Sequence, residues 1–186
     1  MNTGTLIVVI GAIGVIAIIV ALAFSQKNES RRLRATFGPE YDRVLGEENG
    51  NRTRAEAVLR KRMKRIRNLD IRKPSPEASS RFAAQWRGIQ ELFVEDPRGA
   101  ILLADSLERE AITARGYPAA DFEQRASDLS VKHPQLVADY RIAHNVAMHS
   151  QNGASTEDLR KAMEHYRDCL ENILEIHIPK REEVHR

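Results

Sequence analysis

The residues of this chain that could do chemistry are six histidines, one cysteine and a few tyrosines set among arginines. A helix chelates a metal when two ligands share one face, as in His-x-x-x-His, and that pair does not occur. His144 and His149 are five apart, which places them about 140° apart around a helix, so they do not chelate one ion together. No metal or other cofactor is expected. Tyr140, Arg141 and His144 share part of one helix face, and His165 beside Tyr166 could meet them from the last helix. Such a cluster would suit an acidic ligand; the competing and favoured reading is mutual satisfaction at the edge of a core. Cys169 falls on the apolar side of its helix and reads as an inert core thiol. No serine or cysteine sits in a nucleophile elbow and no glycine-rich loop follows a strand, so the chain is not expected to be an enzyme.

The elements that must position these residues are helices. Ser75-Pro76-Glu77 pairs a cap with a proline at the first helical position, and Phe82, Trp86, Ile89 and Phe93 then step along one face. Asp96-Pro97 repeats the signal, and Ile101, Leu102, Ala104, Leu107, Ala111 and Ile112 form a wide apolar face ending at Gly116 and Pro118. A short helix is expected from Ala119 to Ser130. Another opens at Pro134 and stops at Gln151-Asn152-Gly153. Ser155 with Asp158 forms a capping box before the stripe Leu159, Ala162, Met163, Tyr166, Leu170, Ile173 and Leu174, which Pro179 ends. No stretch alternates at period two long enough for a sheet. The expected class is all-α, with residues 74–178 a soluble helical bundle and 179–186 a frayed tail.

Ahead of the bundle lies a basic zone. Residues 27–73 hold 15 Lys and Arg against 7 Asp and Glu, whereas residues 74–186 hold 14 against 19. Helices are expected from Pro39 to about Glu48 and from Asn51 to Asn68. In the second, Ala55, Leu59, Met63 and Ile66 make an apolar stripe, and Arg60, Lys61, Arg62, Lys64, Arg65 and Arg67 cover most of the rest. The plain reading is a solvated face. The alternative is anionic-lipid binding through residues 52–67. Nucleic acid is disfavoured, because no aromatic interleaves the cations.

Leu6 to Phe24 is an uncharged apolar run of 19 residues, about the thickness of a hydrocarbon layer as a helix. No charge precedes it, and Lys27, Arg31, Arg32 and Arg34 follow. The expectation is a transmembrane anchor over residues 1–26, single-pass in the inner (cytoplasmic) membrane, with the N-terminus out and the bulk of the chain in the cytoplasm. A cleaved signal peptide on an exported protein is the alternative. Ala17 and Ala21 are spaced for close helix packing and hence a homodimer.

Several phrases in order, Arg115-Gly116-Tyr117-Pro118, Asp121-Phe122-Glu123-Gln124-Arg125-Ala126, His133-Pro134, Tyr140-Arg141, Ala143-His144, Ser155-Thr156-Glu157-Asp158-Leu159-Arg160 and His165-Tyr166-Arg167, resemble a group of bacterial proteins without an assigned activity, each with an N-terminal membrane segment. Phe37-Gly38-Pro39-Glu40-Tyr41-Asp42-Arg43 fits the same group. The resemblance covers most of residues 31–178 and implies an anchor followed by a helical domain. The functional expectation is an interaction domain, scaffold or regulatory, with a protein partner that the sequence does not name.

Overall fold

The computed structural model describes residues 27–178, together with Gly14, Ala21 and Phe24. Every element among the described residues is helical, and no strand occurs among them. In order these are α1 (27–37), α2 (Pro39–Glu47), α3 (Arg52–Arg67), α4 (Pro76–Glu95), α5 (Pro97–Ala114), α6 (Phe122–Leu129), α7 (Pro134–Met148), a 3₁₀ turn (Ser150–Asn152) and α8 (Thr156–Leu174). The chain divides into two compact units between Leu59 and Arg60, a point inside α3.

The single-pass reading is corrected here. Among the described residues no helix is long and apolar enough to cross a membrane, so the transmembrane and inner-membrane placement is not supported. The physical reason lies in the long helices. α4 has 20 residues but carries Glu77, Arg81, Arg87, Glu91 and Glu95, and α8 has 19 with charges at most turns. Leu6 to Phe24, on which the expectation was built, lies outside the described residues apart from Gly14, Ala21 and Phe24. The packing of Ala17 against a second copy lies outside them as well.

In the first unit Leu33, Phe37, Tyr41 and Val44 recur at steps of four, four and three, and all are buried with Ala55 and Leu59. Asn49 and Gly50, both in the left-handed region, turn the chain between α2 and α3, where the sequence predicts a turn. The unit also buries a charge. The Glu56 carboxylate accepts from Ser30 Oγ at 2.5 Å, Arg52 Nε at 3.0 Å and the Tyr41 hydroxyl at 3.1 Å. Burial alone would raise its pKa, yet these three donors together hold it below the ordinary carboxylate value.

In the second unit the predicted start signals form as caps. Ser75 Oγ accepts from the Ala78 N–H and Asp96 from Gly99; α6 starts later than expected, at Phe122, on an unpredicted cap in which Asp121 accepts from Gln124. Ser155 and Asp158 complete their box. Each such cap stabilises its helix by about 1 kcal/mol. α5 is the central element, packing on α4, α7 and α8, while α7 packs on α8 and α6. Phe82, Trp86, Ile101, Ile112, Tyr140, Tyr166, Leu170 and Ile173 fill the space between them; burying each large apolar side chain stabilises by about 1.5–3 kcal/mol.

Gly116 closes α5 at φ 97°, and a Cβ there would stand 2.4 Å from the Asp70 carbonyl oxygen, so only glycine fits. The last helix ends at Leu174, earlier than Pro179 predicts, because Glu175 adopts a left-handed conformation. Its carboxylate holds both terminal nitrogens of Arg115 at 3.0 Å and pairs with Lys73. The Ile178 N–H then donates to Glu171 at 2.6 Å, and the Ile178 side chain is buried.

Candidate functional site

Two carboxylates sit on the buried face of α5, at Asp105 and Glu108. They share a helix and nearly share a depth, yet their surroundings differ. Asp105 Oδ1 accepts the Tyr166 hydroxyl at 2.7 Å and lies 2.7 Å from His144 Nδ1, while Oδ2 accepts Arg109 Nη2 at 3.3 Å. Burial would push the Asp105 carboxyl up, but the bonds from His144 and Tyr166 outweigh it and hold it below its usual value. Glu108 is fully buried, and neither of its oxygens has a hydrogen-bond partner among the described residues. The Cys169 thiol lies close enough to interact with it, but Sγ is directed at the Leu136 carbonyl, 3.9 Å away. Burial pushes the Glu108 carboxyl well above the ordinary range.

Asp105 reaches the surface through His144. With Nδ1 committed to a carboxylate, the imidazole is fixed in the tautomer that leaves Nε2 as the outward nitrogen. The ring stacks on Phe122 with centroids 3.7 Å apart and planes 8° from parallel. Phe122 also lies beneath the Arg141 guanidinium, 5.7 Å from the ring centroid. Arg141 Nη1 donates to both oxygens of Glu123, at 2.8 and 2.7 Å. Together Phe122, Glu123, Arg141, His144, Asn145, Met148 and His149 line an open groove of about 370 Å³. Arg141, His144, Asn145 and Met148 are the i, i+3, i+4 and i+7 positions of one α7 face.

The predicted cluster is thus partly assembled. Arg141 and His144 come together in the groove. Tyr140 does not line the groove but packs on Phe122 with ring centroids 5.0 Å apart; it is buried, accepts Arg125 Nε at 3.3 Å, and burial pushes its hydroxyl far above the ordinary value. His165 does not join the cluster; its Nδ1 lies 3.6 Å from Asp139. Its neighbour Tyr166 takes the expected place. His149, the C-cap residue of α7, also lines the groove, with its Nδ1 2.8 Å from the Asn145 carbonyl oxygen. Asp105 was missed, and its signal was a carboxylate within the apolar stripe of α5. Leu102, assigned to that stripe, is instead exposed.

The basic residues of α3 divide by direction. Arg65 pairs with the buried Asp128 at 3.1 Å, and Arg62 reaches Ser130 Oγ at 3.5 Å, so both serve the second unit. Arg60, Lys61, Lys64 and Arg67 are exposed. Among the described residues no group of three His, Cys, Asp or Glu could hold a metal ion. No family model, no curated protein and no solved structure matches the chain.

Proposed function

We propose that this chain is a helical interaction module, scaffold or regulatory, that recognises an acidic segment of a partner protein in the α6–α7 groove. One observation supports it above the others: Arg141, set over Phe122, directs Nη1 at two carboxylate oxygens from the α7 face that lines the groove, so a cationic donor stands pre-positioned there beside the fixed His144 ring. Preorganised side chains lose little freedom on binding, which favours recognition. Met148 at the rim is half exposed and offers an apolar contact beside the cationic one. Binding is a better reading than turnover. An aspartate–histidine pair can serve as a base, but the groove lining contains no serine, threonine or cysteine, and one face of the imidazole is covered by Phe122.

The test is site-specific photo-crosslinking of the full chain in cells, with the reactive residue at Met148. A discrete adduct that disappears on Arg141→Glu supports the proposal. An adduct that survives this charge reversal, or labelling no greater than at exposed Glu110 on α5, defeats it.

A further inference from the structure

We infer that Glu123 is a resident competitor in the groove: its carboxylate occupies the seat on Arg141 that the acidic side chain of a partner protein takes, and the Arg141–Glu123 pair opens to admit it. This rests on the recognition reading given above.

The two partners of the pair are built differently. The Arg141 side chain is 17 % exposed and the Glu123 side chain 66 %. The cation is therefore set into the structure, against Phe122, while its anion swings in from solvent on the first turn of α6. An ion pair with one mostly solvated partner contributes little net stability, since side-chain ordering and screening offset the attraction. Opening it exposes an Arg141 nitrogen already directed at two carboxylate oxygens, with the His144 imidazole three residues on along the same face. The groove of about 370 Å³ has room for a carboxylate and its flanking atoms. The ligand class follows from the arrangement: the anion that Nη1 holds is a carboxylate, with both oxygens on that single nitrogen. Aspartate or glutamate in a partner segment reproduces it.

The experiment uses the purified full chain and two probes, glutarate and inorganic phosphate, followed by the imidazole nitrogen resonances of His144. Glutaramide, uncharged, is the control. Glu123→Gln keeps the size and removes the competing charge, and its exposed position spares the fold. The expected result is glutarate binding about fivefold tighter in Glu123→Gln than in the wild type, the order expected from losing a weak competing ion pair. Arg141→Gln, which removes the cation that holds both oxygens, should lose that gain. Equal or weaker glutarate binding by Glu123→Gln overturns the competitor role. Phosphate binding tighter than glutarate overturns the carboxylate class. If the gain appears but Met148 gives no crosslink, the seat stands and the protein-partner reading falls; a crosslink lost on Arg141→Glu without the gain leaves the module and removes the competitor.

Discussion

Glu56 in the first unit and Glu108 in the second are both buried glutamates, and they solve burial in opposite ways. Glu56 gathers Ser30, Arg52 and Tyr41 around one oxygen and stays acidic. Glu108 has no hydrogen-bond donor for either oxygen among the described residues, and burial pushes its carboxyl well above the ordinary value. Asp105, one turn from Glu108, follows the Glu56 pattern with Tyr166, His144 and Arg109. Depth alone therefore does not set which way a buried acid's pKa moves here; the count of converging donors does. The difference bears on the proposed function as well. Of the three acids, Asp105 alone has a donor, His144, that also lines the α6–α7 groove.

The largest expected effect comes from breaking the donor-rich case. Asp105→Ala strands the Tyr166 hydroxyl and the His144 Nδ1–H, and should destabilise the protein by about 3–5 kcal/mol in urea unfolding. The wild-type contribution of Asp105 should be present above the unfolded carboxyl pKa, 3.8, and be lost as pH falls through the lower folded value. Replacing the donor-poor acid should act in the reverse direction. Glu108→Gln should stabilise the protein near neutral pH in urea unfolding, because burial penalises the charged form of this carboxyl. The folded pKa lies above the unfolded 4.5, so the penalty is absent below that value and grows as pH rises. The advantage of Glu108→Gln should accordingly vanish in unfolding curves measured near pH 4. Glu56→Gln should cost about 1–2 kcal/mol, less than Asp105→Ala, since an amide still accepts from two of its donors. The smallest effect belongs to Glu123→Gln, expected to shift stability by less than about 0.5 kcal/mol while changing the groove's affinity for carboxylates.

Local signals were the legible part. Ser75, Asp96 and Ser155 announce helix starts through side chains that bond amides three residues on, and Gly116 announces a stop through its backbone, all within one turn of sequence. The apolar stripes of α4 and α8 place Trp86 and Tyr166 in the core for the same reason. The groove was harder to see. Asp105 and His144 are 39 residues apart, and no helical period relates them. A periodicity argument also sorts residues by apolarity, so it put Leu102 on the buried face of α5 and passed over Asp105 and Glu108, which occupy it. His165 and Tyr166 are adjacent, so a rotation of about 100° decides which meets Asp105.

The account depends on a buried carboxylate fixing the imidazole that the groove presents. The direct measurement is the pair of imidazole nitrogen shifts of His144 by NMR in the full chain, with Asp105→Asn beside the wild type. The account predicts a proton resident on Nδ1 in the wild type, and averaging between the two nitrogens in the variant. A wild-type His144 whose proton sits on Nε2, or whose nitrogens already average, would contradict it.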